Sequence, residues 1–359
     1  MQITMKTTPT SPEERERILT SPGFGLHRTD HVLQIDYRGD AGWGEAVIKP
    51  YGSLSLDPAT MGLHYGQLIF EGLKAFVQSD GSVSLFRPAE NARRLNESAR
   101  RLSMPTLDEE LFVEAARALV EVELDWVPTG PGQSLYLRPF MFASEAHIGL
   151  RVATEYSFLI LATPVDPFFS AEVRALSVWI DRDHVRAVRG GTGSVKCAGN
   201  YAASMQGKQL ANEQGCDEVL WLDAIDRRWI EELGGMNVCF VYGSGDEARL
   251  VTPPLDGSIL AGITRASLLE LGRSRGLTVE EEPIAIDVLF TAMATGEVTE
   301  AFACGTATVV APIGTILCDG VSREISATRP GPVTMGLRAE LLAIQTGTSP
   351  AFPEWRTRV

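Results

Sequence analysis

The sequence predicts a mixed α/β (α+β) protein of two domains, and three observations support this. The 359 residues are too many for one compact core. Runs rich in β-branched and aromatic residues alternate with stretches whose apolar residues recur at helical spacing. The segment ATPVDPFFSAE places two prolines between apolar runs. We therefore predict an N-terminal α/β domain over 1–165, an interdomain linker over 166–175 and a C-terminal domain over 176–359.

The first domain begins with a polar stretch, residues 1 to about 20, that we expect to be a mobile lead-in. Strands are predicted for HVLQIDY, GQLIFEGLKAF and SVSLFR because each is rich in β-formers and bounded by turn residues. Helical spacing of apolar residues covers 91–102 and 107–124. The runs SLYLRPFMFAS and EYSFLILATPV complete this domain as strands.

The second domain begins with the strand VRALSVWI, followed by a glycine-rich loop and a helix over 200–214. Apolar runs then predict the strands EVLWLD, WIEELG, MNVCFVYG, LTVEEEPI and EVTEAFACG. Helical spacing returns at 264–275 and 286–295. No repeat or low-complexity tract interrupts this pattern.

Composition excludes several classes of protein. The net charge of −14 argues against a nucleic-acid or anionic-membrane surface, and no apolar run approaches the length of a membrane span. The polar N-terminus lacks the apolar core of a signal peptide. The five cysteines show no paired spacing, so we expect a cytoplasmic protein with reduced thiols.

The glycine-rich loop GGTGSVKCAGNY contains the first candidate catalytic residue, Lys196. The chain has only five lysines against 27 arginines, and only lysine can lose its proton and attack a carbonyl. Small neighbours leave room for a planar ligand, and Tyr201 follows near a helix start. An aldehyde cofactor would hold Lys196 as a Schiff base, with the phenol beside its ring oxygen. The alternative is a solvated loop lysine.

An aldehyde cofactor with a phosphate also needs an anion site. In GITRASLLEL, Gly262, Ile263 and Thr264 open a predicted helix whose free N–H groups favour a phosphate; the alternative is that Thr264 is only an N-cap. The turn CGTAT is a second small-residue anion site. Arg87 precedes a proline and is a further candidate, although it could simply pair with surface carboxylates.

An aldehyde cofactor of this kind also needs an acidic group at the nitrogen of its ring, and the stretch WIEELGGMN offers a carboxylate for this role. Glu231 and Glu232 lie there in an apolar stretch, where a carboxylate is costly without a cationic partner.

Two other motifs resemble a metal site and a nucleotide-binding loop, but neither meets the requirements. His27 and His31 precede a strand and have no local third ligand, so we reject a metal site. GGTGSVK lacks the spacing of a nucleotide-binding P-loop.

Eight motifs in order resemble the branched-chain amino acid aminotransferases, pyridoxal-phosphate enzymes of fold type IV. They are FG…TDHVL, LHYGQLIFEGLKAF, LFRP, SLYLRP, GTGSVKCAGNY, EELGGMN, GITR and CGTA. The resemblance runs from about Phe24 to GPVTMGLRAELLAIQTG. It implies a two-domain fold with a cofactor-binding C-terminal domain and the active site between the domains. It also implies pyridoxal 5'-phosphate, with pyridoxamine phosphate as the alternate form.

The resemblance assigns roles position by position. Lys196 matches the Schiff-base lysine and catalytic residue, Tyr201 the ring-oxygen contact and Glu232 the pyridine-nitrogen partner. The phosphate would lie among Arg87, Ile263, Thr264 and Thr306. Thr306 and Ala307 match the turn that holds the substrate α-carboxylate, and Arg138 the arginine for the distal carboxylate of glutamate; alternatively, Arg138 is a structural arginine before Pro139. The side-chain pocket would be formed by Phe24, Phe70 and Tyr136, with Tyr65, Ile148 and Leu150 supplied by the partner subunit of a homodimer.

The activity implied is branched-chain-amino-acid aminotransferase (EC 2.6.1.42), which moves the amino group of L-leucine, L-isoleucine or L-valine to 2-oxoglutarate. Two alternatives share the fold type, a D-amino acid aminotransferase and an aminodeoxychorismate lyase; a third is a non-catalytic binding protein. The sequence departs from mammalian members of the family. Thr308 and Ala311 replace their redox Cys-x-x-Cys, Gly235 replaces a threonine, and the segment before the glycine loop is shorter.

Overall fold

The computed structural model describes residues 1–168, 173–325 and 330–359. Its α-helices are α1 (Pro12–Thr20), α2 (Met61–Tyr65), α3 (Pro88–Arg101), α4 (Glu109–Val122), α5 (Ala198–Glu213), α6 (Ile263–Ser274), α7 (Ile286–Thr295) and α8 (Pro332–Gln345). None of these described helices combines the length and the apolarity that crossing a bilayer requires.

The strands are β1 (Gln2–Ile3), β2 (His31–Arg38), β3 (Gly42–Trp43), β4 (Val47–Pro50), β5 (Leu68–Phe70), β6 (Leu73–Val77), β7 (Val83–Phe86), β8 (Ser134–Ala143), β9 (Glu155–Val165), β10 (Leu176–Ile180), β11 (Glu218–Leu222), β12 (Ile230–Leu233), β13 (Asn237–Tyr242), β14 (Arg249–Thr252), β15 (Thr278–Glu281), β16 (Val298–Gly305), β17 (Val309–Cys318), β18 (Val321–Glu324) and β19 (Arg356–Arg358). The mixed α/β (α+β) prediction is confirmed.

The chain divides into two compact units. Unit 1 comprises Met1–Phe168, Lys196–Gly199 and Ala343–Val359, and unit 2 the described residues of 169–195 and 200–342. The short stretch that carries Lys196 therefore belongs to unit 1, although the glycine loop before it belongs to unit 2. The predicted domain limits, 1–165 and 176–359, stay a prediction.

Unit 1 is built on a sheet with the strand order β1-β4-β2-β9-β8-β6-β7-β19, in which β3 also pairs with β2 and β5 with β8. Its centre is the antiparallel pair β8–β9, in register from Ser134↔Val165 to Ala143↔Tyr156. Helices α3 and α4 contribute Leu95, Phe112 and Leu119 to the buried core. Their apolar faces follow the helical spacing of the sequence.

Unit 2 is built on a sheet with the order β12-β11-β10-β17-β16-β13-β14-β15, with β18 on β17. Strand β10 pairs in parallel with β11 and β17, whereas β13 and β16 pair antiparallel. Apolar side chains of these strands, among them Val178, Leu220 and Phe240, form the core. Strand β12 carries the candidate residue Glu232, and the turn after β16 carries Thr306 and Ala307.

The expected mobile lead-in is wrong, because residues 1 to about 20 are largely ordered secondary structure. Strand β1 pairs with β4. Helix α1 begins after Ser11, whose side chain accepts a hydrogen bond from Glu14 N at 3.2 Å, with Pro12 in the first turn. A serine cap, a proline at the first helical position and two following glutamates are start signals that were readable in the sequence.

One glycine of the glycine-rich loop is required by close approach of backbone. A Cβ added at Gly193 would lie 2.2 Å from Ser258 O and 2.4 Å from Ala187 Cβ. Both are closer than van der Waals contact, and the nearest atom is a carbonyl that cannot swing away. The loop thus packs against residue 258 only with glycine at this position.

We predict that Gly193→Ala lowers the free energy of unfolding by about 1–3 kcal/mol, the cost of overpacking a buried contact. Gly199→Ala is the matched control, since nothing lies within 4 Å of its added Cβ and it occupies helix α5, where alanine is favoured by up to about 1 kcal/mol. Urea unfolding followed by circular dichroism measures both. Equal stability of the two variants would contradict the packing argument.

Candidate active site

The backbone of Lys196 is held from two sides within unit 1. Its N–H donates to Ser98 Oγ at 3.0 Å, and its carbonyl accepts from Phe70 N at 3.1 Å. The next residue, Cys197, forms an antiparallel bridge with Ile69. The lysine peptide therefore extends the edge of β5 as a short strand would, and its side chain starts from a fixed backbone.

The surroundings of the Lys196 amine favour its neutral form. Burial, together with the nearby Arg94 guanidinium, lowers the pKa of Lys196 to about 8, although the Glu71 carboxylate opposes both effects. The amine also lies 4.8 Å from the centre of the Phe70 ring. A lysine with a pKa near 8 is partly neutral at physiological pH, and its neutral amine can act as a nucleophile and as a base.

A buried ion pair supports this lysine from the side of α3. Glu71 is fully buried and accepts from Arg94 Nε and Nη2 at 2.8 and 2.7 Å, and from Asn91 Nδ2 at 2.8 Å. Ser98 Oγ, which accepts from Lys196 N, itself donates to Arg94 O at 3.0 Å. Sequence analysis missed these residues. The available signal was Glu71, a charge in the apolar run LIFEGL.

The predicted pocket residues of unit 1 lie together. Phe24 and Tyr136 pack edge to face with ring centres 5.4 Å apart. Arg138 places its guanidinium 4.8 Å from the Phe70 ring centre and donates from Nη2 to Tyr136 Oη at 3.0 Å. Arg138 Nε is buried and has no hydrogen-bond partner among the described residues. A cationic donor that lies beside aromatic rings and lacks a hydrogen-bond partner among the described residues is suited to bind an anionic ligand.

Three further predicted residues lie on the surface of unit 1. Tyr65, Ile148 and Leu150 have exposed fractions of 41%, 70% and 83%. The Tyr65 hydroxyl donates to the backbone carbonyl of Ile148, so this tyrosine and the 148–150 loop form one exposed patch. None of the three takes part in the Phe24–Tyr136–Arg138 contacts described above.

Arg87 occupies the N-cap position of α3 in a left-handed conformation, with φ of 49°. Such a conformation costs about 1–3 kcal/mol for a residue other than glycine and is enriched at functional sites. Its backbone N–H donates to Trp355 O at 2.8 Å, and its guanidinium lies 4.7 Å from the Trp355 ring centre. Glu90 Oε1 lies 3.5 Å from Arg87 Nη2, which is a long, partly buried ion pair.

In unit 2, Tyr201 and Glu232 line one cavity together with Arg186 and Gly235. Glu232 is 2% exposed. Its Oε1 accepts from Leu260 N at 2.7 Å and Asn237 Nδ2 at 3.2 Å, and its Oε2 lies 3.0 Å from Arg186 Nε. Arg186 was missed by sequence analysis, because nothing in HVRAVRGG distinguishes it from Arg189.

The two predicted anion sites of unit 2 are the N-terminus of α6 and the turn after β16. Helix α6 begins after Gly262, which supplies no side-chain cap. Thr264 is the second helical residue, so its interpretation as the N-cap is wrong. The first-turn N–H groups, including those of Ile263 and Thr264, lack a capping side chain, which suits an anion. Thr306 and Ala307 form the turn between β16 and β17, as predicted.

The other residues considered in the sequence analysis, His31, the five cysteines and Glu231, lie buried in the protein interior. His31 Nδ1 lies 2.8 Å from Glu123 Oε1, and both residues are buried. All five cysteines are free and buried. Glu231 faces away from Glu232, as adjacent residues of a strand must, and lines a different cavity.

Comparison with known proteins places these features in context. The family profile described as Amino-transferase class IV matches residues 68–316. The chain is 49% identical over 358 residues to the branched-chain-amino-acid aminotransferase of Mycolicibacterium smegmatis, covering 99% of this chain and 97% of that protein. It is 48% identical to the Mycobacterium tuberculosis protein of the same name, with coverages of 98% and 96%.

Solved structures agree. The T.th. branched-chain amino acid aminotransferase with pyridoxamine 5'-phosphate aligns with a TM-score of 0.73 and 25% identity, covering 90% of this chain and 97% of that one. The same T.th. enzyme complexed with N-(5'-phosphopyridoxyl)-L-glutamate aligns with a TM-score of 0.72 and the same identity and coverages. These matches confirm the resemblance and the fold class predicted from the sequence.

The lowered pKa of Lys196 generates a prediction for the cofactor-free chain. Only the neutral amine reacts with acetic anhydride, so its labelling should be half-maximal near pH 8. At pH 7.5 about a quarter of the amine is then neutral, against about 0.1% for an ordinary lysine. Mass spectrometry of the Lys196 peptide across pH measures this. In the urea-unfolded chain, the control, the midpoint should return above pH 10; the same midpoint in both states would refute the pKa.

Proposed function

Because the chain belongs to the branched-chain-amino-acid aminotransferase family of the class IV aminotransferases, we propose that it transfers the amino group of L-leucine, L-isoleucine or L-valine to 2-oxoglutarate. The products are the branched 2-oxo acid and L-glutamate. The observation that carries this proposal is the Lys196 amine, which has a lowered pKa and lies against Phe70 in the same unit as Tyr136 and Arg138. A reactive amine and an arginine-bearing aromatic pocket are what the reaction needs.

The cofactor we propose is pyridoxal 5'-phosphate, alternating with pyridoxamine phosphate, the form named for the T.th. relative. The residues fit this group. The α6 N-terminus lacks a side-chain cap, and a Cβ at Gly235 would lie only 3.3 Å from Tyr201 Cε1, so glycine leaves the tyrosine ring uncovered. Lys196 would hold the aldehyde carbon, Tyr201 the ring oxygen and Glu232 the ring nitrogen. The phosphate would be held by Arg87, Ile263, Thr264 and Thr306.

When bound, pyridoxal phosphate supplies a carbonyl that condenses with amines and a ring that accepts electrons from the substrate α-carbon. The protein residues supply the proton transfers and the orientation. Lys196 would take the proton from the substrate α-carbon, a transfer for which a pKa near 8 is well matched. The Glu232 carboxylate, fixed by Leu260 N–H and Asn237, would keep a proton on the ring nitrogen.

One pocket must accept both a branched alkyl group and a carboxylate. We propose that Phe24, Phe70 and Tyr136 contact the alkyl group, and that Arg138 binds the distal carboxylate through its unmet Nε. The backbone N–H groups of Thr306 and Ala307 would hold the α-carboxylate. We further propose a homodimer in which the exposed patch of Tyr65, Ile148 and Leu150 completes the partner's pocket.

The first test is Lys196→Ala. Turnover should be lost, because no other group supplies the amine, and the borohydride-sensitive yellow absorbance of the parent should disappear. Lys196→Arg should do no better, since a guanidinium does not condense with the carbonyl. Steady-state transamination of leucine and visible spectra measure both. Retained activity in either variant would refute the role of Lys196.

The second test separates the adjacent glutamates. Glu232→Gln should reduce kcat about 100-fold or more, because an amide cannot keep the ring nitrogen protonated. Glu231→Gln should change kcat less than about fivefold, because Glu231 lines another cavity. Single-turnover kinetics with leucine compare them. The opposite order would place Glu231, and not Glu232, at the ring nitrogen.

The third test concerns dual recognition. Arg138→Met should lower kcat/KM for glutamate and 2-oxoglutarate about tenfold to a hundredfold more than for leucine and its oxo acid, the value of a charge-assisted hydrogen bond. Leucine places only methyl groups near residue 138, so its kcat/KM should change only through repacking of the pocket. The two half-reactions are measured separately. An equal fall for both substrates would mean that Arg138 supports the pocket without binding the carboxylate.

A further inference from the structure

The C-terminal segment of the chain lies against Arg87, the residue proposed to hold the cofactor phosphate. Strand β19 pairs antiparallel with β7, with Arg356 opposite Phe86, and both strands belong to unit 1. Arg87 directly follows β7, and Trp355 directly precedes β19. The pairing of these strands therefore makes Trp355 a neighbour of Arg87, although the two residues are distant in sequence.

Trp355 contacts Arg87 through its backbone and through its ring. Arg87 N–H donates to the Trp355 carbonyl at 2.8 Å, and the guanidinium carbon lies 4.7 Å from the centre of the indole ring. Trp355 is only 4% exposed, and a cation–π contact is stronger where it is shielded from water. A guanidinium that stacks on an aromatic ring still has N–H donors in its own plane for an oxyanion.

The indole itself is held in place by two phenylalanines. The Phe352 ring stacks on the indole of Trp355, with ring centres 4.1 Å apart and an angle of 13° between the planes. The Phe86 ring meets it edge to face, with centres 5.9 Å apart. Packed aromatic pairs of these two kinds have preferred geometries, and they leave a buried ring little room to turn. The Arg87 guanidinium therefore rests on a fixed surface.

Two residues with left-handed backbone flank this contact. Arg87 and Phe352 have φ of 49° and 48°, in a region that residues with bulky side chains seldom occupy. Each precedes a proline, Pro88 or Pro353, which favours extended backbone at the preceding residue. Strained conformations of this kind persist only where the surrounding structure fixes them, and they cluster at ligand sites. The fixing contacts here are the backbone hydrogen bond to Trp355 and the ring stack.

The ion pair with Glu90 does not explain how Arg87 is oriented. Glu90 Oε1 contacts Arg93 Nη2 closely, whereas it lies 3.5 Å from Arg87 Nη2. Charge-assisted hydrogen bonds between such groups are usually about 2.7–2.9 Å long, so Glu90 constrains Arg87 weakly. Of these two neighbours, the indole is the tighter restraint on the guanidinium.

We propose that Trp355 is a positioning residue for Arg87 and thereby sets the affinity of the chain for the phosphate of its cofactor. This inference rests on the proposed function, in which Arg87 holds that phosphate. Ordering a long arginine side chain when a ligand binds costs conformational entropy and weakens binding. The indole orders the guanidinium when the chain folds, so this cost no longer falls on cofactor binding. The C-terminal segment therefore contributes to cofactor affinity through Arg87.

The test titrates the cofactor-free full-length chain with pyridoxal phosphate and with pyridoxal, which differ in the phosphate alone, and follows visible absorbance. Trp355→Leu should raise the Kd of pyridoxal phosphate about 3–30-fold, the range that a cation–π contact supports. It should change the Kd of pyridoxal less than about twofold, because the residues proposed for the ring are intact. Trp43→Leu is the matched control, the same change at a partly buried tryptophan of unit 1 that packs on Tyr37, and should bind both aldehydes like the parent.

A double-mutant cycle with Arg87→Met shows whether Trp355 acts through Arg87. In the Arg87→Met background, Trp355→Leu should change the Kd of pyridoxal phosphate less than about twofold. An equal loss of affinity in both backgrounds would mean that Trp355 only supports the fold, and would overturn the inference. Trp355→Phe keeps a weaker ring face and should raise this Kd about two- to fivefold. If Trp355→Leu fails to fold, Trp355→Phe takes its place, and a Kd equal to that of the parent would overturn the inference.

The outcomes separate the role of Trp355 from the proposed function. A parent that binds pyridoxal phosphate more tightly than pyridoxal, together with an unchanged Trp355→Leu variant, would overturn the role of Trp355 and leave the proposed function intact. A parent that binds the two aldehydes equally would refute the phosphate role of Arg87 and the inference built on it. A parent that forms no saturable band with pyridoxal phosphate would refute the proposed function, and the role of Trp355 with it.

Discussion

The two hydrogen bonds on the Lys196 peptide are the constraint on which the position of the Lys196 side chain depends. Glycine-rich loops lose more conformational entropy on ordering than other segments, so GGTGSVK needs compensating contacts. Ser98 Oγ and Phe70 N provide such contacts at Lys196 itself. Gly193 allows a further contact, because its lack of a side chain lets the loop pack against the Ser258 carbonyl. The loop is thus fixed at Lys196, the residue proposed to be catalytic.

Each of the two units buries a pair of oppositely charged groups near a candidate residue. Glu71 pairs with Arg94 in unit 1, and Glu232 lies against Arg186 in unit 2. Removing one partner of such a pair costs about 3–5 kcal/mol, whereas the intact pair adds little net stability. These pairs therefore set the electrostatics of the site more than its stability. Their effect is visible in the opposing influences of Arg94 and Glu71 on Lys196.

Strand β12 separates two environments with a single pair of adjacent glutamates. Glu232 has its carboxylate satisfied by backbone and side-chain donors, whereas Glu231 keeps one oxygen unmet. Both residues come from the same apolar run, so their difference arises from what each face of the sheet packs against.

The sequence by itself determined the mixed α/β class, most strands and helices, and the choice of Lys196 as the candidate catalytic residue. Periodicity, turn residues and the scarcity of lysine can all be read from the sequence without the fold. The sequence also contained the start signals of α1 at Ser11 and Pro12, although the polar composition of this segment had predicted a mobile lead-in. Tertiary structure alone decided that Arg186 meets Glu232 and that Ser98 holds the Lys196 peptide. These depend on which residues distant in sequence become neighbours. Burial and the direction of a side chain across a strand are set by packing, and no local pattern encodes them.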